Sequence, residues 1–215
     1  AFTGEYITGR KIIQASAGNL KRVSLELGGK SPNVVFADGD IDTALSGCIG
    51  SVFFNQGQVC CAGTRLFVEK KIYDDFVGKL SDRVKGIKLG AGLDPSTQMG
   101  PLVSEEQLKR VTGYLDIGKK EGANPLAGGN RAKGEHLDKG YFVEPTVFAN
   151  VNNKMRIAQE EIFGPVVSAI PFNDVNDAVF QGNETNYGLA AGVWTKDIKK
   201  AHSVARALKA GTVWV

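Results

Sequence analysis

The sequence predicts an α/β fold, a mostly parallel sheet flanked by helices. Short strand-like runs alternate with longer segments of helical periodicity along all 215 residues, as successive βαβ units require. One run, Asn33-Val-Val-Phe36, reads as a strand buried inside the sheet. No internal repeat and no low-complexity tract competes with this reading. In such folds ligands gather at the carboxyl ends of the strands.

In order along the chain, a helix is expected over 5–17 after a glycine turn, and a strand over 22–27. Asp38 and Asp40 suit the first turn of a helix from Ile41 to about Gln56. Arg65 to Lys70 reads as a strand. Ile72 to Ile87 reads as an amphipathic helix with Phe76, Leu80 and Val84 on one face. Glycines and prolines over 90–101 mark a long loop. Ser104-Glu-Glu-Gln107 then opens a helix in the manner of a capping box. Residues 124–140 are expected to form a loop or short hairpin. Tyr141-Phe-Val143, Thr146-Val-Phe148 and Pro165 to Phe172 follow as strands, and Asp174 to Asn183 as a helix. A strand at Ala190–Trp194, a helix from Lys196 to Leu208 and a strand from Gly211 to Val215 complete the chain.

Composition narrows the function classes. A hydrophobic content of 42% supports one sizeable core or two small ones. The net charge is only +3, and the basic residues are scattered rather than interleaved with aromatics, so no nucleic-acid partner is indicated. No apolar stretch is long enough to cross a bilayer and no signal-peptide pattern is seen, so no membrane partner is expected either. The three cysteines are an odd number. Cys60 and Cys61 are sequence neighbours, poorly placed to pair. This argues against a disulfide framework and for a reducing compartment, the cytoplasm or, in a eukaryote, the mitochondrial matrix. His136 and His202 stand alone, so no metal site is expected. The chain opens inside a turn motif, Ala1-Phe-Thr-Gly4, and stops in an apparent strand, so it reads as a piece of a longer protein.

Four segments carry chemistry. Phe53-Phe-Asn-Gln-Gly-Gln-Val-Cys60-Cys-Ala-Gly63 sets two thiols on a polar turn between helix and strand. A thiolate that attacks a carbonyl needs access, a base and donors for the developing oxyanion. On such a turn one thiol can face a cleft while the other packs inward; two inert small hydrophobes are the alternative. Cys48 lies within a helical segment and reads as core. Glu26 sits in the apolar run Val23-Ser-Leu-Glu-Leu27, just before Gly28-Gly29. There it is either a general base whose burial raises its pKa, or an outward residue of an edge strand. Gly4-Glu-Tyr-Ile-Thr-Gly9-Arg-Lys11 falls short of a phosphate-loop pattern, because no hydroxyl follows the lysine; a helix N-terminus there can still meet a pyrophosphate. Gln159-Glu-Glu-Ile-Phe-Gly-Pro-Val166 places carboxylates beside an aromatic, suited to a ribose diol and a flat ring, or else simply ends a helix.

Together these segments resemble the aldehyde dehydrogenase family, its broad-range class 1/2-like branch and bacterial phenylacetaldehyde-type relatives. The resemblance rests on Phe2–Gly9, Leu25-Glu-Leu-Gly-Gly-Lys-Ser-Pro32, Phe54–Gly63, Gly140-Tyr-Phe-Val-Glu-Pro-Thr146, Glu160–Pro165 and Gly211–Val215, which run in the family's order. It implies that Cys60 is the nucleophile and Glu26 the general base. Gly4 and Gly9 would form the turn at the coenzyme pyrophosphate, with the backbone of Leu27 and Gly28 near the nicotinamide. Glu161 would hold the nicotinamide ribose and Phe163 would lie beside that ring. Gln107 and Arg110 fall at adenosine-ribose positions.

The implied coenzyme is NAD or NADP, the substrate a small aldehyde, and the assembly a homodimer or homotetramer. The implied reaction yields a carboxylate through a cysteine thiohemiacetal and thioester. Residues 1–26 would be the end of the coenzyme-binding domain and 27–215 an incomplete catalytic domain. Two other readings stay open, a thiol esterase or acyl transferase without redox chemistry, and a fragment inactive alone. Glu5 departs from the family pattern, standing where relatives carry a small serine.

Overall fold

The computed structural model describes residues 1–134 and 136–215. The first unit is small: β1 (Phe2–Gly4), α1 (Tyr6–Ser16) and β2 (Leu25–Leu27), with β1 and β2 parallel and paired only to each other. The rest builds one sheet with helices on both faces, as the alternation predicts. Its elements are β3 (Pro32–Val35), α2 (Ile41–Phe53), β4 (Arg65–Glu69), α3 (Tyr73–Lys85), α4 (Glu105–Lys120), β5 (Asn124–Ala127), β6 (Thr146–Ala149), α5 (Arg156–Gln159), β7 (Val166–Phe172), α6 (Val175–Asn183), β8 (Ala190–Trp194), α7 (Ile198–Ala207) and β9 (Thr212–Trp214). The seven strands run in the order β5-β6-β7-β4-β3-β8-β9, all parallel except β5.

Strand alternation divides the core in two. Val34 and Phe67 point to the layer built on α4, α5, α6 and α7, with Val111, Leu115, Ile157 and Val204. Val35, Leu66 and Val68 point to the opposite layer under α2 and α3, with Leu45, Phe76, Leu80 and Val84. Cys48 belongs to this second layer, where burial pushes its thiol up to about 12. Two expectations need correction. Residues 124–127 are an edge strand that pairs antiparallel with β6, beyond the stretch expected to form a loop or a short hairpin of its own; position 135, in the same stretch, lies outside the described residues. Tyr141–Val143 makes only an isolated bridge, Arg131 to Val143, because Pro145 ends the run before a ladder can extend. His136 and His202 are exposed. Among the described residues no cluster of three His, Cys, Asp or Glu could hold a metal, and no helix is long and apolar enough to cross a membrane.

Candidate active site

The thiol turn is shaped by its backbone. After α2 ends at Phe53, Asn55, Gln56 and Gly57 take φ of 48°, 57° and 69°, three left-handed residues in succession. Such a run is strained for non-glycine residues and marks a segment held by its surroundings. Gly57 lies against the Gly164 carbonyl, with no room for a Cβ. The Ala62 amide donates to the Val59 carbonyl at 3.1 Å and closes a turn with Cys60 at its tip. The two thiols part company there. Cys60 lines a cleft of about 520 Å³. Cys61 lines a separate cavity of about 230 Å³ with Ser31 and Trp194. Desolvation and the neighbouring Cys61 hold the Cys60 thiol above its ordinary value, opposed by the Cys61 and Cys60 amides.

The larger cleft collects residues from five segments. Gly4, Glu5, Glu26, Leu27, Gly28, Gln58, Val59, Cys60, Gln107, Arg110, Glu161 and Phe163 all line it, with Thr3. Every site residue named from the sequence is present except Gly9. That residue is buried on α1 against Leu27, whose Cδ2 stands 2.6 Å from where a Cβ would be. Its missing side chain therefore lets α1 approach β2. Glu26 is exposed rather than buried, paired opposite Thr3 in the small ladder. Phe53, the last residue of α2, packs in the core, whereas Val59 reaches the cleft.

Of the acidic pair, only Glu161 turns inward. Glu160 accepts from Arg156 Nε at 2.8 Å and from the Tyr114 hydroxyl at 2.7 Å. Glu161 is half-buried and accepts from the Gly29 amide at 3.1 Å. Desolvation raises its pKa, against that hydrogen bond and the charges of Arg110 and Lys30. Its carboxylate lies on the Cα of Gly28, and the Cys60 carbonyl lies on the Cα of Gly29; a Cβ at either position would collide. The glycine pair is thus a bare surface on which Glu161 and the thiol turn both rest. Phe163 has φ of 58°. Gln107 Nε2 donates to the Ile162 carbonyl at 3.1 Å and to the Phe163 carbonyl at 2.7 Å, and Arg110 Nη2 to the Glu161 carbonyl at 2.8 Å. Gln107 and Arg110 thus clamp this loop while lining the cleft, a use that the capping pattern on α4 did not disclose.

Sequence reasoning passed over two buried cations. Lys30 is 2% exposed, and burial lowers its pKa to about 7, helped by Arg65. Arg65 is 0% exposed. Both sit in short polar stretches beside the chemical motifs, and their burial has no signature in hydrophobic periodicity.

Known proteins share this fold. A human mitochondrial aldehyde dehydrogenase is 50% identical over 217 residues, covering 100% of this chain and 41% of its own length. An aldehyde dehydrogenase of Bacillus cereus, solved as its NAD+ complex, superposes with a TM-score of 0.95 at 50% identity, over 99% of this chain and 43% of that one. A betaine aldehyde dehydrogenase of Staphylococcus aureus, also solved with NAD+, gives a TM-score of 0.97 at 46% identity, over 99% and 42%. The chain therefore spans less than half the length of the relatives it matches. A profile of the aldehyde dehydrogenase family matches residues 1–215, and the chain belongs to that family.

Proposed function

We propose that this chain supplies the thiol half of an NAD(P)-dependent aldehyde dehydrogenase, with Cys60 as nucleophile and Glu26 as general base. The observation that carries the reading is that Cys60, Glu26, Glu161 and Phe163, from separate segments, line one cleft. The cleft suits a nicotinamide riboside. Phe163 offers a ring face, and the Glu161 carboxylate, with one oxygen on the Gly29 amide, keeps lone pairs for a ribose hydroxyl. Bound there, an oxidised nicotinamide supplies the hydride acceptor. Residues 1–26 belong in this reading to the end of the coenzyme domain, and the whole protein is expected to assemble as a homodimer or homotetramer.

The residues of the chain do the rest. The Cys60 thiol is held above its ordinary value, so it needs a base before it attacks, and Glu26 across the cleft takes its proton. Sulfur adds to the aldehyde carbon to give a thiohemiacetal whose oxyanion the Cys60 amide can meet. Loss of hydride leaves a thioester. Glu26 passes the thiol's proton to solvent, then deprotonates the water that attacks the thioester, releasing the carboxylate and returning the Cys60 sulfur as leaving group. The test measures NADH formation from an aldehyde by the whole protein. Cys60→Ala is expected to abolish it, whereas Cys61→Ala, whose side chain lines the other cavity, is expected to retain it. Undiminished turnover in Cys60→Ala rejects the reading.

A second activity is supported by the same turn. Thiol, base and amides all stand on this chain, so coenzyme-free cleavage of an activated ester needs nothing more. A burst of p-nitrophenol that disappears in Cys60→Ala is the expected result.

A further inference from the structure

Arg65, the first residue of β4, is wholly buried, yet among the described residues no carboxylate forms an ion pair with it. Its partners are neutral oxygens. Nε donates to the Lys30 carbonyl at 2.8 Å, Nη1 to Asn153 Oδ1 and to the Gln181 carbonyl at 3.2 Å each, and Nη2 to the Gly182 carbonyl at 2.7 Å. Its guanidinium also lies 5.4 Å from the centroid of the Phe67 ring. Burial disfavours its charged form, and Glu184 favours that form from beyond ion-pair distance; a buried charge without a direct ion pair is costly, and an apolar side chain of similar volume often folds as well or better. A planar fork of donors can hold several carbonyls in one geometry, which a single ammonium or an apolar side chain cannot.

The carbonyls it holds matter. Besides the side-chain bond to Lys30, the Arg65 amide donates to the Ser31 carbonyl at 3.3 Å. Lys30 and Ser31 end the loop that leaves Glu26 and carries Gly28 and Gly29. The Cys60 carbonyl rests on Gly29, and Glu161 on Gly28. Arg65 itself closes the short connection that leads out of the thiol turn, Cys61-Ala-Gly-Thr64. One residue therefore grips both sides of the seam between the nucleophile and the strand that bears the base.

We propose that Arg65 is a positioning residue that sets the spacing between the Cys60 turn and the Gly28–Gly29 loop leading from Glu26. Its catalytic consequence rests on the dehydrogenase reading above; its geometric consequence does not. The test uses the whole protein with Arg65→Met and Arg65→Lys. Two quantities are read, kcat per titratable active-site thiol and the rate of Cys60 alkylation by iodoacetamide. A misplacement of about 1 Å can cost up to about 10²-fold. The expected result is therefore a loss of about 10- to 100-fold in kcat per thiol for both variants, an altered alkylation rate, and a coenzyme KM within about twofold of wild type. A purely structural role would lower Tm and the folded fraction but leave both quantities per folded thiol unchanged, which overturns the proposal. Full recovery of kcat by Arg65→Lys also overturns it, since charge rather than the fork would then suffice. Should the Arg65 variants fail to fold, Gly29→Ala probes the same seam, because its methyl meets the Cys60 carbonyl. Wild-type kcat and alkylation in that variant would overturn the proposal. If the wild-type whole protein oxidises no aldehyde, the dehydrogenase reading falls, while the alkylation ratio still decides the spacing.

Discussion

At the scale of single residues, two charges determine what can be measured. Lys30 is buried with its pKa lowered from 10.5 to about 7, so the folded state disfavours its charged form. Between those values the unfolded chain binds a proton that the folded chain does not, so stability rises with pH across that window and the penalty is largest below about pH 7. Lys30→Met is expected to raise Tm at pH 7 and to flatten the rise towards alkaline pH, by about 2–4 °C for each kcal/mol relieved. A melt series of both proteins from pH 6 to about pH 10 checks this; an unchanged slope counts against it. Glu5 is the second case. It sits at the N-cap of α1 without a side-chain cap bond and lines the cleft. If the coenzyme pyrophosphate meets this turn, as the proposed NAD(P)-dependent reading implies, a carboxylate there opposes it. Glu5→Ser is expected to lower the KM for NAD about two- to fivefold at low salt, the effect of roughly 0.3–1 kcal/mol at a helix end, and less at high salt.

At the scale of elements, the loop 161–163 and the unit β1–α1–β2 differ in how they are held. The loop carries a left-handed Phe163 and is pinned by Gln107 and Arg110 through three successive carbonyls. Gln107→Ala removes two of those bonds and is expected to cost about 1–2 kcal/mol, with Tm falling by roughly 2–8 °C. On the proposed reading, in which Glu161 and Phe163 meet the coenzyme, coenzyme KM should rise more than kcat falls, since the loop presents both residues to the cleft; equal changes in both would contradict this. The small unit is held weakly. Of α1 only Gly9 is buried, while Ile7 and Ile13 are 57% and 54% exposed. Its amides should exchange with solvent well before those of β3 and β4, which lie in the middle of the sheet. Equal protection across all four strands would contradict that ranking. The alternation of strands and helices was legible in the sequence because each element has its own periodicity. The edge strand β5 was not, because Asn124-Pro-Leu-Ala127 carries glycine-flanked turn chemistry and gains its ladder only from β6.

At the scale of the whole molecule, the two core layers enclose the seven-stranded sheet, whereas among the described residues the cleft is walled on the β1–β2 side only by the small unit. The 215-residue chain by itself is therefore expected to show a Cys60-dependent ester burst without saturable binding of NAD. Calorimetric titration with NAD checks it, and tight saturable binding would show that this chain alone completes the coenzyme site. The motifs named Cys60, Glu26, Glu161 and Phe163 without revealing how near they come. That nearness depends on side-chain-free surfaces at Gly28 and Gly29 and on long-range hydrogen bonds.

The sequence by itself determined the layered α/β plan, the core position of Cys48 and the residue types available for thiol chemistry, since these follow from local periodicity and intrinsic reactivity. Only the tertiary structure decided that Cys60 and Cys61 face different cavities, that Glu161 rather than Glu160 enters the cleft, that Gly9 packs away from it and that Arg65 spans the seam. Each of those outcomes turns on contacts between residues far apart in the chain, which no local pattern encodes.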